Sequence, residues 1–299
     1  MVVARIRGGL GNQLFQYASA RALAWHKNVP FKLDLYTYSK SQYRKFELDQ
    51  FNIDAEIATR EEVHEFTGSN PVIRYLNKRE NYLRCIKVLS QPHYHYFEDF
   101  FSVNIPVYLS GYWNSEKYFK QYRDELCQQF SLKKPFSTSH VKWKAQIEAT
   151  ASVAIHVRRG DYVANPVYQS FFGPLPISYY EAAVNELGQK KTNLNFFIFS
   201  DDISWCRENF GSINNVQFVV HDQPADASED LLLMSACRHQ IIANSTFSWW
   251  GAWLNNNPEK IVIAPKKWFG RAFTDAVHPP YASRYYNTKD LLPESWIKL

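Results

Sequence analysis

Two hydrophobic rhythms alternate along this chain. Val2 to Ile6 is a short apolar run that predicts a strand, and Arg7-Gly8-Gly9-Leu10-Gly11 follows as a glycine-rich turn. From Asn12 the spacing changes: Leu14, Ala18, Ala22 and Trp25 form one stripe at helical intervals. The start therefore reads strand, glycine loop, helix. The second half repeats the alternation. Ser152–Val157, Asn195–Phe199, Val216–Val220, Ile241–Ala243 and Lys260–Ala264 read as buried strands. Between them, Ser178–Leu187, Ile203–Phe210, Ala227–Cys237 and Phe247–Leu254 read as helices. Near-continuous apolar strands alternating with amphipathic helices predict an α/β fold with a parallel sheet covered on both faces. Ligands of such sheets bind at the carboxyl ends of the strands.

The region from about 30 to 145 is less regular. Helical patterns are expected at Ile57–Phe66 and Tyr118–Phe130, and a strand at Val107–Gly111. Tyr75–Phe101 gives no assignment. Lys133–Ser139 is a polar break and a linker edge, and the expected division is 1–145 and 146–299. A last helix is expected near Leu291–Leu299.

The length of 299 residues is comfortable for two domains. Aromatic residues reach 16%, enough for core packing and for stacking faces that suit a sugar or a base. The net charge of +5 suits a small anion and leaves loose attachment to an anionic membrane surface open. Its scatter, with no basic stripe, excludes nucleic acid as a partner. Cys85, Cys127, Cys206 and Cys237 stand isolated, which predicts reduced thiols and a cytoplasmic location. No window approaches the ~20 apolar residues of a membrane span. His93 and His95 could suggest a metal, but alternate positions are more simply one face of a strand.

Three polar clusters sit at predicted strand ends. His156-Val157-Arg158-Arg159-Gly160-Asp161-Tyr162 fits an anion clamp, since guanidinium groups fork two oxygens of a diphosphate. It fits a structural Arg–Asp pair equally well. Ser200-Asp201-Asp202 could receive ribose hydroxyls or a guanine amino edge, or simply cap the next helix. Asn244-Ser245-Thr246-Phe247-Ser248 could cradle a phosphate on helix amides and hydroxyls, with an ordinary N-cap as the plain reading. The N-terminal glycine loop is neither a Walker A loop nor GxGxxG.

The four stretches GGLGNQLFQYA (Gly8–Ala18), HVRRGDY (His156–Tyr162), FSDD (Phe199–Asp202) and NSTFSWWGAWL (Asn244–Leu254) occur in the order that resembles glycosyltransferase family 11, the α-1,2-fucosyltransferases. Pro265–Phe269 and Pro293–Ile297 also look like that family, while 30–145 carries little of the likeness. The resemblance implies two Rossmann-like domains facing a cleft, of the GT-B type, with the donor held by residues 146–299 and the acceptor mainly by 1–145. It implies GDP-β-L-fucose as donor, a galactose-terminated acceptor fucosylated at its 2-hydroxyl with inversion, and no metal or other cofactor.

Roles follow from the chemistry of that reaction. Negative charge grows on the β-phosphate as GDP leaves, and Arg158 is the expected cation, with Arg159 beside it. Ser245, Thr246, Phe247 and Ser248 are expected at the donor. The resemblance gives His156 with Asp201 or Asp202 to guanosine. Gly9 and Gly11 would let backbone approach closely, with Asn12 donating to a substrate. Asp161 is the candidate general base, or else a lock on an arginine. Asp34, Tyr36, Tyr94, Tyr96, Trp113 and Asn114 are candidate acceptor contacts.

Overall fold

A computed structural model of the chain describes residues 1–38, 44–68, 87–221, 226–270 and 287–299. Contacts divide it into two compact units, one of Met1–Ser131 together with the segment that ends at Leu291, the other beginning at Leu132 and including Leu292–Leu299. The division expected at 145/146 thus lies at 131/132. The helix Thr138–Glu148, which the sequence pattern left unassigned, belongs to the second unit.

The first unit holds a parallel sheet of β1 (Val2–Arg5), β2 (Phe31–Asp34), β3 (Glu56–Ile57), β4 (Val88–Ser90) and β5 (Val107–Ser110). Their spatial order is β3-β2-β1-β5-β4. The Leu10–Lys27 helix starts two residues before the expected Asn12. The Arg60–Thr67 helix carries a complete capping box between Thr59 and Glu62, which explains why it begins there and not at Ile57. The helix expected at Tyr118–Phe130 breaks into two short 3-10 turns and a helix confined to Arg123–Gln129. Asp290 is tied into this unit by Lys117 Nζ at 2.7 Å and by the Tyr96 N–H at 3.0 Å.

The second unit holds β6 (Ala151–Val157), β7 (Leu194–Ser200), β8 (Val216–Phe218), β9 (His239–Ile241), β10 (Val262–Ala264) and β11 (Ile297–Lys298), all parallel. The order is β11-β10-β9-β6-β7-β8. Ile155 of β6 lies opposite both Ile198 and Ile241, so this apolar seven-residue strand is central. Val153, Ile155 and Val157 are buried with Tyr180, Leu187, Phe196 and Ile198. Each such side chain contributes about 1.5–3 kcal/mol on leaving water. The C-terminus is a strand, not the expected helix: Ile297 and Lys298 pair with Ile263 and Ala264. Cys127, Cys206 and Cys237 are free thiols; Cys85 and positions 75–86 of the unassigned stretch lie outside the described residues. No helix among the described residues is long and apolar enough to cross a membrane.

Candidate active site

In the second unit the chain runs outward from β6 to β7 and β8, then returns to place β9 on the other side of β6. That reversal makes the carboxyl ends of β6 and β9 the crevice where α/β sheets take ligands. HVRRGDY leaves β6 there, and NSTFSWW follows β9.

Arg158 is pinned from two sides. Its Nη2 lies 2.7 Å from Asp161 Oδ1, and its Nη1 lies 2.8 Å from Asp201 Oδ2. Its side chain stays about a quarter exposed. Arg159 is fixed differently: its backbone N–H donates to Asp201 Oδ1 at 2.8 Å and its Nε donates to Asp202 Oδ2 at 3.0 Å. Its guanidinium stacks over the Trp205 ring at 4.0 Å. Asp202 also caps the Ile203–Asn209 helix by accepting from the Trp205 N–H at 3.1 Å. That N–H and Arg159 hold the Asp202 carboxyl below the usual carboxylate range. The capping reading of Ser200-Asp201-Asp202 holds for Asp202, and both aspartates face arginines. Asp161 pairs with Arg158. Two arginines face three aspartates here, so the cluster carries no surplus positive charge.

His156 is buried near the end of β6, 5.6 Å from the Phe247 ring between centroids. Burial lowers its pKa to about 4, against the opposing pull of Asp201. Its Nδ1 is buried with no hydrogen-bond partner among the described residues. Ser245 caps the Thr246–Trp253 helix through the Phe247 N–H at 3.4 Å. Ser248 turns inward and donates to Ser245 O at 3.3 Å, so its hydroxyl serves the helix. Thr246 and Phe247 are half-buried. Asn244 knits the site together: its Nδ2 donates to Phe172 O and to Trp268 O, both at 3.1 Å, and its backbone carbonyl accepts from Tyr162 Oη at 3.1 Å.

Gly9, Gly11 and Asn12 belong to the first unit, at the carboxyl end of β1. Gly8 has φ +84°, the left-handed region that favours glycine. The buried glutamines of GNQLFQ pin this loop. Gln13 Nε2 donates to Gly8 O at 3.0 Å, and Gln16 Oε1 accepts from the Arg7 N–H at 2.8 Å. Gly9 is the N-cap residue, Gly11 is buried inside the helix, and the Asn12 side chain lies beside Gly8. Of the acceptor candidates, Asp34 is committed to Tyr108 Oη at 2.6 Å and to the Tyr36 N–H at 2.9 Å. Trp113, Asn114 and Tyr94 are buried, and Tyr36 is exposed. His93 and His95 do not share a strand face; their rings stack at 3.5 Å in a bend.

The profile of glycosyl transferase family 11 matches residues 1–282. This chain belongs to glycosyl transferase family 11. Within the family it is 34% identical to an alpha-1,2-colitosyltransferase of Escherichia coli, over 100% of this chain and 99% of that protein. It is 31% identical to the O-antigen biosynthesis glycosyltransferase WbnK of Escherichia coli, over 98% of this chain and 99% of that one. A galactoside alpha-(1,2)-fucosyltransferase 2 of Oryctolagus cuniculus is 26% identical over 83% of this chain and 65% of its own length. This family 11 member is thus a glycosyltransferase.

Sequence reasoning missed three side chains at the same end of the second sheet: His140, His221 and Asp230. Their ligand atoms lie within 4.8 Å of one another, the one such group among the described residues. The two imidazole rings are nearly parallel, 12° apart with centroids at 4.0 Å. An ion bound by both must lie close to both ring planes, so stacked rings are poorly arranged to share one. Helix starts rich in Ser, Asp and His (Ser137–His140, Asp226–Asp230) were the available signal.

Proposed function

We propose that this enzyme transfers L-fucose from GDP-β-L-fucose to the 2-hydroxyl of a terminal galactoside, forming an α-1,2 linkage with inversion. The observation that carries the reading is Arg158 held between Asp161 and Asp201 at the β6 strand end. As the bond from fucose to the diphosphate breaks, charge collects on the β-phosphate. A guanidinium already fixed in place meets that charge without reorganising, and such preset donors often lower the barrier more than any other feature of a site. Its remaining N–H groups and the amides at the start of the Thr246–Trp253 helix would hold the diphosphate, so no divalent ion is needed. The fucosyl group is cation-like in the transition state, so a weakly activated acceptor hydroxyl suffices: its oxygen bonds to C1 as GDP departs, and its proton is released.

The names of the relatives support both the α-1,2 linkage and a galactoside acceptor. They also favour a second reading. Colitose is L-fucose without its 3-hydroxyl, and 34% identity over the full chain to a colitosyltransferase favours a GDP-colitose donor. Incubation of the purified protein with a β-galactoside and equal GDP-fucose and GDP-colitose separates the two. The primary reading predicts fucose on the 2-position of the product and release of GDP. Product carrying only colitose, or fucose at another position, would overturn it.

A further inference from the structure

The first unit has its own reversal of strand order. The chain runs outward from β1 to β2 and β3, then returns to place β5 on the other side of β1. The carboxyl ends of β1 and β5 are therefore its ligand crevice. Arg5 and Arg7 leave β1 there, both half-buried. They stand two residues apart on extended backbone, since the Ile6 N–H still donates to Asp34 O of β2 at 3.0 Å, so their side chains share one face. Both are felt at the Tyr108 hydroxyl, where burial and Asp34 raise the pKa and the two arginines oppose them.

Neither guanidinium forms an ion pair among the described residues. Arg5 Nε meets Thr37 Oγ1 at 3.5 Å. Arg7 Cζ lies 4.5 Å from the centroid of the Tyr112 ring, and its Nε is buried with no hydrogen-bond partner among the described residues. Asp34 stands opposite Arg5 in the β1–β2 register, yet its oxygens go to Tyr108 Oη and the Tyr36 N–H. The arginines of the second unit face three aspartates, whereas these two cations face none. The loop that carries Tyr112 is held firmly under Arg7. Buried Gln91 accepts from the Tyr112 N–H at 2.8 Å and the Trp113 N–H at 3.2 Å, and its own Nε2 has no partner among the described residues. Trp113 takes φ +56°, a strained conformation for a bulky side chain and one that collects at ligand sites.

A guanidinium stays charged, and holding it half-buried without a counter-charge costs free energy that a bound oxyanion returns. Its fork matches two oxygens of a carboxylate or a phosphate. We propose that the acceptor is an acidic glycan, and that Arg5 and Arg7 bind a carboxylate or phosphate on the sugar that bears the galactose. The inference rests on the transferase reading above, in which the diphosphate of the donor goes to Arg158 and the start of the Thr246–Trp253 helix. The anion of the first unit is then a different one, carried by the other substrate.

The test is calorimetric titration of the full chain, saturated with GDP, with three probes: lactose, the same disaccharide with glucuronate in place of glucose, and lactose 1-phosphate. The wild type is expected to bind one acidic probe about tenfold or more tighter than lactose, and the tighter of the two tells carboxylate from phosphate. Arg7→Gln should bring that ratio within about threefold and leave the Kd for GDP within about twofold. Arg7→Lys keeps the charge without the fork and should fall between. Arg5→Gln should reduce the ratio as well, so the test does not hang on the folding of one variant. Arginines serving only the fold would lower the melting temperature and leave the ratio unchanged. Equal binding of all three probes, glutamine variants that keep the wild-type preference, or a loss confined to GDP affinity overturns the proposal. If an acidic galactoside is preferred but fucose is not transferred to it, the fucosyl reading falls and this one stands. If fucose is transferred with no preference for an acidic probe, the reverse holds.

Discussion

Gly160 faces the carboxylate of Asp201 so closely that a β-carbon at Gly160 would stand 2.6 Å from Asp201 Oδ2. The same oxygen is 2.8 Å from Arg158 Nη1. The glycine of HVRRGDY is thus needed for space, and its effect reaches the proposed catalytic arginine through a carboxylate. Gly160→Ala should push Asp201 away and loosen Arg158. We expect kcat to fall by about tenfold or more, a barrier increase of roughly 1.4 kcal/mol. Steady-state kinetics beside a thermal melt checks this: full activity in the alanine variant would show that Asp201 does not need its observed position.

Asp161 separates two roles by its pH profile. As a brace, it acts through Arg158, and Asp161→Asn should lower kcat while leaving the shape of the acid limb intact. As a general base, its removal should abolish both the rate and that limb. The ion pair at 2.7 Å predicts the first outcome. Disappearance of the acid limb in the asparagine variant would restore Asp161 to the base role.

Buried His156 gives a stability prediction with a defined sign. Its ordinary value is 6.5, and burial brings it to about 4 in the folded chain. Between those values the unfolded chain binds a proton that the folded chain refuses, so stability falls as pH drops through that window. The loss is on the order of 3 kcal/mol. Burial also lowers His95 and His239, so the informative quantity is the difference between variants. Denaturant titrations from pH 7 to 4 should show a shallower decline for His156→Gln than for the wild type. Parallel curves would contradict the burial argument.

Chelation gives a fourth prediction. If Arg158 carries the charge of the leaving diphosphate, activity in excess EDTA should match untreated enzyme within about twofold, well under the tenfold that 1.4 kcal/mol represents. Loss of activity on chelation, recovered with a divalent ion, would assign that charge to a metal.

Much of this was legible in the sequence because parallel sheets write themselves plainly. The apolar run Ser152–Val157 sits one residue inside the observed β6, and Asn195–Phe199 likewise inside β7. Pro176 marks the start of the Ile177–Gly188 helix as expected. The first unit was harder to read because its elements are short or held by long-range contacts. β4 has three residues, β3 has two exposed ones, and Asp290 joins Tyr96 and Lys117 from far along the chain. The helix Gly160–Ala164 was hidden for another reason: its five residues are too few to show a helical stripe. In the site, residue types were readable but partners were not. Arg158 could be named from HVRRGDY, whereas its bond to Asp201 requires β6 and β7 to lie side by side. His140, His221 and Asp230 come from two helix starts and a strand exit, and no local spacing links them.

The most direct test of the central claim is kcat for sugar transfer in Arg158→Ala and Arg158→Lys, each shown to be folded by its melting curve. A guanidinium that meets the departing diphosphate predicts a fall of about 10²–10³ in the alanine variant, near 3 kcal/mol. Lysine should recover only part of it, because one ammonium cannot reproduce the forked contacts to Asp161 and Asp201. An alanine variant that turns over at the wild-type rate would contradict the account.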